Sequence, residues 1–251
     1  MLVLGLVVLS AVVGDAHGAA AERPTGGAYL LESTIRLPEA AAWQLDVAVM
    51  PDGSTYVADG RRNAVLRFDP AGQPRGVWTG PPTGPLPGYI YVPRCVAADG
   101  GRSIVYVLWL RYRLDGADLT LSAVFLDARA PDGEPVRPLL AVTGSRLAEV
   151  ADIALEAATG DIWLAGEGQL RRLRLPTGVI DAEMPLPRDA SRVAVNSEGL
   201  TAVARPAAHR VDLRNAGGVL VGGWELAPNE PVAVAAGQGG RFQVLVRAPV
   251  A

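Results

Sequence analysis

Two aspartates in the stretch PDGSTYVADG, Asp52 and Asp59, are the first residues whose types and spacing could support chemistry. Two carboxylates act as an acid and base pair only when they lie close together. Asp52 precedes Gly53 in a turn signature, and Asp59 ends the apolar run that follows. A strand of four residues is ~13 Å long, so we expect the two carboxylates at opposite ends of a strand, where they hold turns.

Residues for nucleophilic and metal chemistry are few. The chain has one cysteine, Cys95, two histidines, His17 and His209, and no lysine. Because there is a single cysteine, we expect neither an intrachain disulfide nor a cysteine-ligated zinc site. His209 stands in ARPAAHRVDL without a nucleophile motif, which argues against a Ser-His-Asp triad. Cys95 lies in an apolar triplet and is predicted to be a small buried hydrophobic residue.

The composition favours a large all-β protein. The 251 residues are 49% hydrophobic and 20% charged, and the 29 glycines and 20 prolines are spread between short apolar runs. That distribution is typical of many short strands joined by turns. The formal net charge of −3 gives no electrostatic reason to expect nucleic acid or an anionic membrane surface as a partner.

The N-terminal segment is predicted to be a signal peptide or an N-terminal hydrophobic anchor over residues 1–21. Its apolar run, Leu2 to Gly14, is shorter than the ~20 residues of a membrane-spanning helix. The small residues Ala19, Ala20 and Ala21 suit a cleavage site before Glu22. We therefore expect an extracytoplasmic protein, secreted or periplasmic, with no membrane contact beyond an anchor that is left uncleaved.

Five similar segments recur along the rest of the chain, at intervals of roughly 40 to 60 residues. Each has an apolar triplet, a turn rich in Gly, Asp or Asn, and a second apolar run. The triplets begin at Val47, Cys95, Ile153, Val193 and Val232. In the first segment we predict strands at Leu45 to Met50, Thr55 to Ala58, Ala64 to Phe68 and about Gly76 to Trp78.

Two segments depart from the simple repeat pattern. RLAEVADIALEA, from Arg146 to Ala157, has the composition of a helix, but its position in the repeat favours a strand. An insertion in the second unit is predicted to form a long hairpin with Asp115 and Gly116 at its tip.

The stretch WQLDVAVMPDGSTYVADGRRNAVLRFDPAGQP, from Trp43 to Pro74, resembles an NHL repeat. The shared elements are the apolar triplet, Pro-Asp-Gly, Tyr-Val-Ala-Asp and Val-x-x-Phe-Asp-x-x-Gly, whereas the usual His is missing near Asn63. The resemblance implies a β-propeller of four-stranded blades over residues 28–251, with about five blades or a truncated sixth. Ala28 to Leu37 is expected to complete the last blade as its outer strand.

The candidate binding residues stand just before the apolar triplets. They are Asp46, Arg94, Asp152, Arg192 and Glu230. If the propeller prediction is right, these residues surround one mouth of a central channel, and their charges alternate in sign. Ion pairs between blades are the structural interpretation of this pattern. A polar pocket for a small charged ligand is the functional interpretation.

Some of the propellers that the chain resembles are enzymes. Gluconolactonase-like propellers hold a divalent metal with Glu, Asn and Asp, and streptogramin-lyase-like propellers use His, Glu and Mg²⁺. Oxygen donors stand near the predicted inner strands, at Glu149, Asp152, Asn196, Asn229 and Glu230, but none lies in a recognisable motif.

Three interpretations of function remain. We expect a monomeric exported scaffold that binds a protein or a small ligand, without cofactor and without identifiable catalytic residues. The alternative is a metal-dependent hydrolase or lyase with an axial Ca²⁺ or Mg²⁺ site. A truncated, functionless product would leave the ring of blades open.

Overall fold

The computed structural model describes residues 6–8, 10–11, 30–33, 45–81, 86–136, 140–142, 150–166, 168–175, 177–236, 240 and 242–247. Within these ranges the regular elements are β-strands, apart from the 3₁₀ turn Pro206–Ala208. Among them is no helix with the length and apolar character needed to span a membrane. The chain divides into two compact units, the first mainly Ile35–Ile153 and the second mainly Gly5–Thr34, Ala154–Leu175 and Val179–Ala251.

Three short strands come first in the chain. They are β1 (Leu6–Val8), β2 (Ser10–Ala11) and β3 (Leu30–Ser33). The first two lie within the segment predicted to be a signal peptide or anchor. Cleavage after residue 21 would therefore remove both of them.

The first unit contains two sheets of four antiparallel strands in chain order. Sheet 1 consists of β4 (Leu45–Val49), β5 (Thr55–Asp59), β6 (Ala64–Phe68) and β7 (Pro74–Trp78). Sheet 2 consists of β8 (Tyr89–Asp99), β9 (Ile104–Asp115), β10 (Asp118–Arg129) and β11 (Leu140–Val142). The four strands predicted for the first repeat are confirmed. The long hairpin is confirmed as well, with Gly116 and Ala117 between β9 and β10.

Local turn chemistry explains the ends of β5. The Asp52 carboxylate accepts a 2.9 Å hydrogen bond from the amide of Ser54, and Gly53 adopts the positive φ of 86° that the turn requires. At the other end, the Asp59 carboxylate accepts from the amides of Arg61 and Arg62, both at 3.1 Å. The two aspartates thus hold opposite turns, as the sequence predicts.

The core of the first unit lies between sheets 1 and 2. On β4 the side chains alternate, because Ala48 is buried whereas Val47 and Val49 are 39% and 51% exposed. The buried cluster combines one small residue of β4 with large residues of both sheets. Its members are Ala48, Met50, Tyr56, Ala58, Val65, Trp78, Tyr91, Val96, Val105, Val107 and Trp109.

Two further four-stranded meanders follow. Sheet 3 consists of β12 (Val150–Glu156), β13 (Asp161–Gly166), β14 (Gln169–Arg174) and β15 (Val179–Pro185). Sheet 4 consists of β16 (Arg192–Val195), β17 (Thr201–Arg205), β18 (Arg210–Arg214) and β19 (Leu220–Glu225). The boundary between the units falls within β12, after Ile153. The choice of strand over helix is confirmed for Val150–Glu156, while Arg146 lies outside the described residues.

The last sheet differs from the prediction. Sheet 5 holds three strands, β20 (Glu230–Ala236), β21 (Phe242–Arg247) and the N-terminal β2, which pairs with β21. The described part of Ala28 to Leu37 is β3, and it pairs with β1 instead. Among the described residues the expected number of about five four-stranded blades is therefore corrected to four, because β20 and β21 gain one short strand there, β2.

Candidate functional site

Three first strands of consecutive sheets bring chemically distinct side chains together in the first unit. Asp46 lies on β4, Cys95 on β8 and Asp152 on β12. One carboxylate oxygen from each aspartate and the sulfur of Cys95 all lie within 4.8 Å of one another. We call these three residues the acid–thiol cluster.

A β-bulge in β8 determines which residue joins the cluster. Pro93 pairs with Trp109 and Cys95 pairs with Leu108, so that Arg94 is an extra residue in the strand. Because side chains alternate along a strand, one extra residue exchanges the faces of the residues around it. In the alignment of the five repeated segments, Arg94 occupies the position of Asp46 and Asp152. In the structure, Cys95 is the residue of β8 that lies beside these two aspartates. Arg94 donates from Nε to the carbonyl oxygen of Val150 at 3.1 Å.

Hydrogen bonds to the backbone orient two members of the cluster. Oδ2 of Asp46 accepts from the amide of Val96 at 2.7 Å, which turns the carboxylate towards β8. The thiol of Cys95 donates to the carbonyl oxygen of Ala151 at 3.5 Å, which places the sulfur beside β12. The donors are therefore positioned by contacts between sheets.

Burial decides how a ligand would enter. Cys95 is fully buried and Asp152 is 4% exposed, whereas Asp46 is half-buried. Asp46 is therefore the member of the cluster that a ligand from solvent would reach first.

The cluster brings two carboxylates close together. Their oxygens lie within 4.8 Å of each other, and like charges this close repel when both groups are ionised. Carboxylate oxygens are also common ligands of divalent metal ions.

The other two predicted binding residues lie in the second unit. Arg192 begins β16, and its Nη1 donates to the carbonyl oxygen of Ser191 at 3.5 Å. Glu230 begins β20 and is opposite Arg247 in the register of sheet 5. Both are half-buried. Their membership of one site with the acid–thiol cluster stays a prediction.

The structure places two of the remaining predicted oxygen donors. The side chain of Asn196 accepts from the amides of Glu198 and Leu200 and donates to the carbonyl oxygen of Gly240 at 2.8 Å, so it stabilises a turn. At Asn229 it is the backbone carbonyl oxygen that lies 3.1 Å from Nδ1 of His209. Glu149 lies outside the described residues.

Sequence reasoning missed a second buried polar group, in sheet 2. Asp127 is fully buried, and its Oδ2 accepts from Trp109 Nε1 at 3.3 Å and from Arg129 Nε at 2.6 Å. Burial raises the pKa of Asp127, although Arg129 opposes the shift. Asp127 and Arg129 stand two apart on one strand and so share a face, which is the only signal that the sequence offered.

Solved structures share this architecture at low sequence identity. A gluconolactonase from Xanthomonas campestris is 14% identical, with a TM-score of 0.55 over 80% of this chain and 71% of that one. A protein of unknown function from Bacteroides caccae is 13% identical, with a TM-score of 0.56 over 78% of this chain and 65% of its own. Virginiamycin B lyase from Staphylococcus aureus is 12% identical, with a TM-score of 0.51 over 82% and 78%.

These likenesses show the fold. The chain is an all-β protein with the β-propeller fold, with four four-stranded blades among its described residues. No protein-family model matches it, and no curated protein matches it either.

Proposed function

We propose that this protein is a β-propeller binding scaffold that takes a small cationic ligand at the acid–thiol cluster. The observation that carries the proposal is the convergence of two carboxylates and a thiol within 4.8 Å, each delivered by the first strand of a different sheet. Arg94, whose Nε donates to the carbonyl oxygen of Val150, belongs to this proposal as a charged neighbour of the cluster.

A thermal-shift experiment tests this function. The full chain is treated with a chelator and then heated with single additions of Ca²⁺, Mg²⁺, Mn²⁺, Zn²⁺ or small organic amines. A ligand at 100 times its Kd stabilises the fold by about 2.7 kcal/mol, which raises the Tm by roughly 5 to 10 °C in a chain of this size. We expect at least one cation to do so.

Matched variants show whether the cluster is responsible. Asp152→Asn removes one buried carboxylate of the cluster and should reduce the shift by about half or more. Asp118→Asn removes an exposed carboxylate at the β9–β10 hairpin and should leave the shift unchanged. The proposed function is wrong if no cation raises the Tm, or if both variants respond like the parent protein.

We also propose that the scaffold is exported and monomeric. The support for export is the apolar N-terminal run followed by small residues before Glu22. Expression of the complete chain in a bacterial host, fractionation of the cells and N-terminal sequencing test it. A mature protein that begins at Glu22 and elutes as a monomer is the expected result. An intact N-terminus in the cytoplasmic fraction contradicts export.

A metal-dependent hydrolase or lyase is the second candidate function. The convergence of Asp46 and Asp152 favours it, since bound metal ions can polarise a substrate carbonyl. The fold is shared with structures described as a gluconolactonase and a virginiamycin B lyase. Lactone hydrolysis that depends on added metal and is lost in Asp152→Asn would establish this function in place of the scaffold.

A further inference from the structure

We infer that the acid–thiol cluster is a site for a borderline divalent metal such as Zn²⁺ or Co²⁺, with Cys95 as a thiolate ligand. This inference rests on the proposed function and specifies its ligand. The donor set supports it, because Asp46, Cys95 and Asp152 supply two carboxylate oxygens and one sulfur.

The sulfur donor separates this site from a site for calcium or magnesium. Ca²⁺ takes six to eight oxygen ligands and Mg²⁺ takes an octahedron of oxygens. Thiolates select Zn²⁺ and similar metals, which are also bound by carboxylates. The inference departs from the expectation of no cysteine-ligated zinc site, because one cysteine and two aspartates together supply three zinc ligands.

The geometry is close to what such a metal requires. Zinc–sulfur and zinc–oxygen bonds of ~2.3 and ~2.1 Å place tetrahedral donors roughly 3.5 Å apart. The donors of the cluster lie within 4.8 Å of one another, so side-chain movements of about 1 Å would complete the site. Three protein ligands leave a fourth position for water or another small ligand.

The contacts around the cluster also suit a metal site. Carboxylates that bind metals are commonly held by further hydrogen bonds, and the carboxylate of Asp46 is held by the amide of Val96 at 2.7 Å. The ligands come from three different sheets, so the positions of their backbones are set by the fold. Half-buried Asp46 gives a metal its path to Cys95 and Asp152.

Metal binding must release a proton. The Cys95 thiol, which donates to the carbonyl oxygen of Ala151 in the structure, loses its proton to solvent as the sulfur–metal bond forms. No electrons are transferred.

Cobalt spectroscopy tests the inference without any measurement of activity. The chelator-treated full chain is titrated with Co²⁺, and we expect one equivalent to produce the near-ultraviolet charge-transfer band of a cobalt–thiolate bond. Zn²⁺ should displace the Co²⁺ and remove the band. Cys95→Ser should abolish the band, and Asp152→Asn should keep it while weakening Co²⁺ binding at least tenfold. Asp118→Asn is the control and should bind as the parent protein does.

The outcomes separate this inference from the proposed function. A Tm raised by Ca²⁺, Mg²⁺ or an amine in both the parent and Cys95→Ser, with no cobalt–thiolate band, overturns the thiolate site but preserves the scaffold. Absence of any cation-dependent shift or band overturns both. If Cys95→Ser fails to fold, the Co²⁺ titration of the parent protein still tests the inference. Binding of Co²⁺ to the parent protein without the cobalt–thiolate band contradicts it.

Discussion

The carboxylate of Asp46 in sheet 1 accepts a 2.7 Å hydrogen bond from the backbone amide of Val96 in sheet 2. Val96 is only 4% exposed, so this carboxylate satisfies a largely buried backbone donor. The same side chain belongs to the acid–thiol cluster. One residue therefore joins two sheets and contributes to the candidate site.

Replacement of Asp46 separates these two roles. Asp46→Ala leaves the amide of Val96 without its acceptor and should lower the free energy of unfolding by about 1–3 kcal/mol. Asp46→Asn retains an oxygen that accepts this hydrogen bond, and its cost should be below about 1 kcal/mol. Urea denaturation with a chelator present measures both. Equal losses in the two variants would show that the hydrogen bond is not what stabilises the contact.

Gly100 lies too close to Pro51 to accept a side chain. A Cβ at Gly100 would lie 2.2 Å from Cγ of Pro51, whereas a Cβ at Gly76 would meet no atom within 4 Å. Gly100→Ala should therefore destabilise the protein by about 1–3 kcal/mol through overpacking. Gly76→Ala is the matched control, and its effect on urea denaturation should be within about 1 kcal/mol of zero or stabilising. Similar results for the two variants would contradict the close approach.

The pH dependence of stability should include a contribution from Asp181. Hydrogen bonds from Arg172 and Arg174 lower the pKa of Asp181 from 3.8 to about 2. A lowered folded-state pKa means that this carboxylate stabilises the fold above about pH 4 and loses that contribution as the pH falls towards 2. Carbon-13 NMR of the side-chain carboxyl should give a midpoint near 2.

Arg172→Gln supplies the comparison for this titration. It removes two hydrogen bonds to Asp181, at 2.8 and 3.1 Å, and should move the midpoint towards 3.8. Arg75→Gln, whose ion pair is with Asp69, should leave the midpoint of Asp181 unchanged. A midpoint near 3.8 in the parent protein would contradict the paired geometry.

The outer strand of sheet 4 is expected to promote aggregation. β19 is the last strand of its sheet. Leu220 and Val221 in β19 are 50% and 55% exposed, and Val219, just before the strand, is 61% exposed. An exposed apolar edge strand can pair with another chain. Val221→Lys should slow aggregation, followed by light scattering, and change the free energy of unfolding by no more than about 0.5 kcal/mol.

A lysine at another sheet edge provides the control. Val77 in β7 is 57% exposed, but its strand already carries Pro74 and Arg75, which discourage pairing between edges. Val77→Lys should consequently have little effect on aggregation. A reduction as large as that from Val221→Lys would show that general surface charge, and not the β19 edge, controls the process.

Local chemistry explains why so much of sheet 1 could be predicted. Asp52 bonds the amide of Ser54, and Asp59 bonds the amides of Arg61 and Arg62. These contacts join residues two or three positions apart, so the residue types alone identify the turns. With the turns identified, the apolar runs between them have to be β4, β5 and β6.

Long-range pairing explains what the sequence did not reveal about the N-terminal strands and sheet 5. Ala28 to Leu37 has the composition of a strand, but composition does not name the partner of a strand. In the structure Leu30–Ser33 pairs with Leu6–Val8, and Ser10–Ala11 completes sheet 5. Both pairings join residues that are far apart in the chain, where no local pattern specifies the register.

The order of residues was enough to predict the all-β class, the repeated four-stranded unit and the charged residues before the apolar triplets. Which side chains meet depends on the pairing of strands in three dimensions. The bulge at Arg94 depends on how β8 pairs with β9, and it brings Cys95 to Asp46 and Asp152. Turn residues act on their neighbours in the chain, whereas the register of a strand is fixed by its partner, and one residue of register changes the chemistry of the site.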